Sequence, residues 1–143
     1  MKTNLYWIFV PICLIFFSCG HEENPVPDLW VDFQVNVYNA EFSSLQNPGG
    51  WAYVTGGYNG VFIYNFDNQS FYAYDRACPS DIAHAPLVYD EKRHELHHAD
   101  TTENCNSRYS VLLHGAVTHG DSKYPLREYK AAMYGTKLRV VSE

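Results

Sequence analysis

The sequence predicts an all-β domain, an antiparallel sandwich or small barrel, and three observations carry that expectation. Aromatic residues make up 16% of the chain, with 12 Tyr, 8 Phe and 3 Trp, side chains that suit a pleated, half-buried surface. Short apolar runs alternate with Gly, Pro, Asn and Asp clusters from Trp30 to Val141, the pattern of short strands and tight turns. No stretch carries an apolar period of 3.6 residues, so no helix competes with those strands.

In order, residues 30–38 place Val31, Phe33, Val35 and Val37 on one face and Asp32, Gln34 and Asn36 on the other, a half-buried strand. Residues 39–50 read as a connecting loop broken by Asn47-Pro48-Gly49-Gly50. Residues 51–55 are a short strand ended by Gly56-Gly57, and 61–66 pairs with 71–74 as a hairpin through Asp67-Asn68-Gln69-Ser70. After a loop around Cys78, residues 87–89 and 95–98 are short strands flanking the charged turn Asp90-Glu91-Lys92-Arg93. Residues 100–104 form a polar loop into Cys105. Strands over 111–113, 126–134 and 137–141 complete the set, with Gly135-Thr136 as the last tight turn. There is no internal repeat, and one domain accounts for the length.

Composition narrows the function classes. With 46% hydrophobic residues the chain has ample surface to bury, which excludes a disordered protein. Sixteen acidic residues against ten basic ones give a formal charge of −6, the opposite of the basic stripe that tracks phosphates, so no nucleic-acid partner is expected. Neither a phosphate-cradling Gly-Lys loop nor a dinucleotide glycine fingerprint occurs.

Residues 1–18 hold Lys2, an apolar run over 5–17 and Ser18 just before Cys19, the marks of an export signal. The run is shorter than the roughly 20 residues of a spanning helix, and Pro11 interrupts it. Ser18-Cys19 resembles the lipobox of bacterial lipoproteins. That resemblance implies a signal peptide over 1–18, lipidation of Cys19, a flexible tether over 19–29 and a β domain over 30–143. Several acyl chains would hold such a protein stably on a membrane. The expected location is the Gram-negative cell envelope, on the outer membrane at its periplasmic or surface face. His21-Glu22-Glu23 resembles acidic surface-export signals. Losing residues 1–18 removes one positive charge, Lys2, and no negative one, so −6 becomes −7. Cys13 leaves with the signal and Cys19 carries lipid. Cys78 and Cys105 remain, and in an oxidising compartment two cysteines read as one disulfide.

The segment GGYNGVFIYNFDNQSFYAYDRACPSD, residues 56–81, resembles the strand, hairpin and first cluster loop of the Rieske family, where an Asp-Arg-x-Cys-Pro run is common. Cys105 with Tyr109-Ser110, then His114-Gly115-Ala116-Val117, Pro125-Leu126-Arg127-Glu128-Tyr129 and Lys137-Leu138-Arg139-Val140, is similar to the family's second loop and closing hairpin. The resemblance implies a Rieske-like fold with a two-loop cysteine subdomain. In that family two Cys thiolates hold one iron of a [2Fe–2S] cluster and two His hold the other. The positions that would carry the two His are here Ser80, two after Cys78, and Arg108, three after Cys105. Serine is a poor iron ligand and arginine has no lone pair to donate. No cofactor is therefore expected, and the two cysteines, placed in neighbouring loops, would oxidise to a disulfide. Closing a loop of about 27 residues contributes on the order of 3 kcal/mol.

Six histidines, His84, His94, His97, His98, His114 and His119, offer a second chemistry. In His94-Glu95-Leu96-His97-His98 a strand would put His94 and His98 on one face and His97 on the other. Two imidazoles do not close a tetrahedral zinc site, so a third ligand would have to come from His114, Asp100 or a reduced cysteine. Of the aromatics Tyr53, Tyr58, Phe62, Tyr64, Phe66, Phe71, Tyr72 and Tyr74, strand alternation sends about half to the core. No residue spacing supports a nucleophile and base, so no catalysis is expected.

Three functions stand open at this point. One is an envelope lipoprotein whose Rieske-like domain has lost its cluster and serves binding or structure. A second is electron transfer or metal binding, with a [2Fe–2S] cluster or a single metal ion held by other ligands such as Cys78, Cys105, His97 and His98. A third is recognition of a surface glycan or a protein partner through exposed Tyr and Phe.

Overall fold

The computed structural model describes residues 23–100 and 106–142. The first sheet joins β1 (Asp32–Asn36), β2 (Trp51–Val54), β3 (Val61–Asn65), β4 (Phe71–Asp75), β9 (Glu128–Tyr134) and β10 (Lys137–Val141), and the second joins β5 (Val88–Asp90), β6 (Glu95–His97), β7 (Arg108–Ser110) and β8 (Val117–His119). The six-stranded sheet runs β1-β10-β9-β4-β3-β2 and curls into a half-barrel, while the four-stranded sheet keeps chain order. All described pairings are antiparallel. The all-β expectation therefore holds, with a barrel sheet carrying a smaller loop-bearing sheet.

β3 explains how two sheets share one chain. All five of its residues are buried, as in a strand covered on both faces. Val61 and Ile63 join the core formed by Val31, Val35, Val37, Leu45, Leu138 and Val140. Phe62 and Tyr64 join a second core with Tyr74, Cys78, Leu87, Leu96 and Tyr109. Side chains alternate across a strand, so successive residues of β3 feed different cores. Phe62, Tyr64, Phe71 and Tyr74 are buried while Tyr58 and Phe66 are exposed, in line with half of the clustered aromatics going inward.

Four local expectations change. The loop over 39–50 contains a 3-10 helix, Ala40–Gln46, that inserts Leu45 into the first core; a single buried residue leaves no period to read. Val111–Leu113 is a 3-10 helix and not a strand, because the chain reverses at His114 and Gly115, both with positive φ. The strand there is Arg108–Ser110 instead. β8 has partly or fully exposed residues, so it leaves no apolar alternation. Finally, the tether expected over 19–29 is docked from Asn24 onward: Val26 is fully buried, Asn24 Nδ2 donates to the Pro125 carbonyl, and the Arg127 guanidinium donates to the Val26 carbonyl. Arg127 lies about a hundred residues away in sequence, which is why composition alone read this Pro-rich segment as loose.

Candidate functional site

The loop bearing Cys78 is set by the two residues that open its motif. Asp75, fully buried at the end of β4, accepts hydrogen bonds from the backbone N–H groups of Tyr58, Asn59 and Ala77 and from the Tyr129 hydroxyl. A buried carboxylate needs such donors, and here they tie the turn after β2 to the Cys78 loop. Gly57, at φ +60°, is required beside it, since a Cβ would collide with Asp75 Oδ2 and the Tyr129 hydroxyl. Arg76 lays its guanidinium 3.7 Å from the centre of the Tyr53 ring and donates through Nε to the Leu87 carbonyl, fixing the exit of the loop. Burial lowers its pKa, and the ring beneath it offsets part of that loss.

Cys78 follows, 1% exposed. Its sulfur lies 3.3 Å from the Tyr109 hydroxyl on β7, and Ser80 Oγ lies 3.4 Å from that hydroxyl and 3.5 Å from Ser107 Oγ. Ser107 Oγ in turn accepts from the Ser122 N–H. A knot of hydroxyls thus fills the space between the Cys78 loop and β7. Burial, then the hydrogen bond with Cys78, raises the Tyr109 pKa well above its ordinary value. Cys105 and its immediate predecessors lie outside the described residues, so its expected pairing with Cys78 falls beyond them.

The histidines are brought together differently from the face expected for them. His94 sits in a turn with φ 54° and its Nδ1 meets the Tyr89 hydroxyl at 2.8 Å, so it does not share a strand face with His98. Instead the register aligns His97 with Arg108 and Arg108 with His119, a lateral row of imidazole, guanidinium and imidazole across three strands. Together with buried His98, Asp100, Asn106 and Ser107 they line a cavity of about 100 Å³. Arg108 leans on Glu95 at 3.7 Å. His119 entered this row through β8, and only the antiparallel pairing reveals it. His114 lies elsewhere, against Glu128, and supplies no third ligand to His97 and His98. Among the described residues no group of three or more His, Cys, Asp or Glu stands in a metal-holding arrangement.

The chemistry of the donors decides how a family-type cluster would fit. Among the described residues the Tyr109 hydroxyl meets the Cys78 sulfur and the Ser80 hydroxyl meets Tyr109, while Arg108 is engaged with a carboxylate. Among the described residues, Ser80 and Arg108, at the positions where the family resemblance would put imidazoles, do not fit a donor set of two thiolates and two imidazoles.

No family model and no curated protein matches the chain. Among solved structures the chain is similar to the ferredoxin of carbazole 1,9a-dioxygenase from Nocardioides aromaticivorans IC177, with 22% identity and a TM-score of 0.47, covering 68% of this chain and 88% of that one. It is also similar to a Mycobacterium tuberculosis protein described as an NADH-dependent nitrite reductase small subunit, with 14% identity and a TM-score of 0.48, covering 81% of this chain and 98% of that one. Likeness at these identities concerns the fold alone.

Proposed function

We propose that this chain is a lipid-anchored component of a Gram-negative envelope whose Rieske-like domain holds no [2Fe–2S] cluster and serves as a binding or structural module. The observation that carries this reading is the knot of Cys78, Ser80, Ser107 and Tyr109, in which hydroxyls occupy the ground between the Cys78 loop and β7. Its own hydrogen bonds give the subdomain a reason to stay folded without metal. Iron and acid-labile sulfide analysis of anaerobically purified protein, with a visible spectrum, tests it. The expected result is a colourless protein with no stoichiometric iron; a full complement of both elements overturns the reading.

The anchor and the staple belong to the same proposal. Lipidation of Cys19 on the outer membrane rests on Lys2, the apolar run and Ser18-Cys19; Cys19→Ala should release the protein from membranes. The Cys78–Cys105 disulfide rests on there being two cysteines left in an oxidising compartment. Non-reducing digestion and mass spectrometry should return the linked peptides, and two alkylatable thiols would remove the staple.

A further inference from the structure

A second cleft, on the half-barrel and outside the cysteine subdomain, has the makeup of a ligand site. The pairing of β4 with β9 covers Ala73↔Tyr129 and Tyr74↔Glu128. Beyond it Phe71, Tyr72, Lys130 and Ala131, with His114 and Glu128, line a cleft of about 390 Å³, within the roughly 300–1,000 Å³ of small-ligand pockets. Inside it Tyr72 and His114 bring their rings to 5.3 Å between centroids, and Phe66, outside the lining, extends the row at 5.6 Å from Tyr72. Phe66 is 45% exposed, an apolar side chain left at the surface beside the cleft.

The polar groups select among ligand chemistries. Glu128 presents a carboxylate, Lys130 an ammonium, and His114 Nδ1 stands 3.2 and 3.3 Å from the two Glu128 oxygens. A cation would meet Lys130 and an anion would meet Glu128, so neither sign of charge is favoured. A neutral ligand with an apolar face and a hydroxylated edge satisfies both halves, stacking on Tyr72 and exchanging hydrogen bonds with Glu128, Lys130 and His114. His114 is moreover held in the left-handed region at φ 52°, a conformation that a non-glycine residue adopts at some energetic expense and that clusters at ligand sites. It sets the imidazole steeply inclined to the Tyr72 ring, at 68° between planes, and against Glu128.

We infer that this cleft binds a neutral saccharide, a pyranose stacked on Tyr72 with its hydroxyls held by Glu128 and Lys130. The inference deepens the reading of the domain as a binding module and gives that module a ligand class. The test is titration of the purified protein with neutral hexasaccharides of the α-glucan, β-glucan, β-mannan and chitin types, followed by calorimetry and by amide chemical shifts. A trimethyl-lysine peptide and an oligogalacturonate serve as cationic and anionic probes.

At least one neutral hexasaccharide should shift the amides of Tyr72, His114, Glu128 and Lys130 in the unaltered protein, a readout that needs no variant to fold. Tyr72→Ala and the exposed-site variant Glu128→Gln should each weaken binding about tenfold, while Tyr72→Phe, which keeps the ring, stays within about threefold. Silence of those amides with every neutral saccharide at millimolar concentration overturns the inference. So does preference for either charged probe, or binding indifferent to both Tyr72→Ala and Glu128→Gln. Because iron content is read separately, loss of the saccharide leaves the cluster-free proposal standing, and stoichiometric iron would not by itself restore or remove saccharide binding.

Discussion

The two faces of β3 look onto two differently made cores. One is largely aliphatic: Val31, Val35, Val37, Leu45, Ile63, Leu138 and Val140 pack inside the half-barrel with Phe71 and Tyr129, and little polar chemistry lies among the aliphatic side chains. The other is built from Phe62, Tyr64, Tyr74, Tyr109 and Cys78 with Leu87, Leu96 and Val111, and its large side chains carry hydroxyls that must find partners. Tyr74 donates to the Val111 carbonyl and Tyr109 meets Cys78 and Ser80. The first core depends on area removed from water, which any apolar residue of the right size supplies. The second depends on specific hydrogen bonds, which leave a buried donor or acceptor exposed to loss when one partner goes. A scaffold and a seat for loops are thus joined through a single strand.

The largest expected effect lies at their junction. Asp75→Ala strands the N–H groups of Tyr58, Asn59 and Ala77 and the Tyr129 hydroxyl, and should destabilise the protein by roughly 3–5 kcal/mol in urea unfolding. A loss below 1 kcal/mol would mean that the carboxylate does not hold the two regions together. Next come Leu138→Ala in the aliphatic core and Leu96→Ala in the aromatic one, both fully buried; each should cost about 3 kcal/mol by transfer and cavity effects. Once the protein is reduced, Leu96→Ala should in addition raise the accessibility of Cys78 to alkylation, and Leu138→Ala should not.

Alkaline titration reads the buried hydroxyls of both regions without mutation. Burial raises the pKa of Tyr74, Tyr89 and Tyr109, all in or against the aromatic core, and of Tyr129 beside Asp75. These are groups whose folded-state pKa lies above the unfolded value. Their contribution is therefore fully present below about pH 10 and is lost as pH rises through the unfolded and then the folded pKa. Unfolding midpoints should be flat from pH 8 to near pH 10 and then fall, with phenolate absorbance lagging behind free tyrosine. All tyrosines ionising together near pH 10 in the folded protein would contradict the buried hydroxyl network.

The smallest change is Tyr109→Phe, which removes one hydroxyl from Cys78 and Ser80 and keeps the ring. It should cost about 1 kcal/mol and, in the reduced protein, speed alkylation of Cys78. An unchanged rate would show that the knot does not shield the sulfur.

How much of this was legible depends on the kind of signal. The alternation of Val31, Phe33, Val35 and Val37, the 61–66 and 71–74 hairpin and the Gly135-Thr136 turn all reappear in the pairings, because strand period and turn chemistry are local. The site was only partly legible. His97 and His98 were visible as a dense run, but their company was not: His119 joins them through a three-residue strand whose side chains face partly outward. The Tyr72 cleft was visible only as one of eight aromatics, since its Glu128 and Lys130 come from a strand more than fifty residues away.

By itself the sequence determined the all-β class, the strand faces and the absence of imidazole at Ser80 and Arg108, all of which are properties of residues and their near neighbours. Only the tertiary structure decided what surrounds those positions. Asp75 and Arg76 became braces, since the donors and the ring that hold them come from β2, β9 and the turns beside them. Ser80 became part of a hydroxyl knot, since Ser107 and Tyr109 arrive from β7 and the residue before it. A residue's chemistry is written in its side chain, but what that chemistry acts upon is set by long-range contacts that no local period encodes.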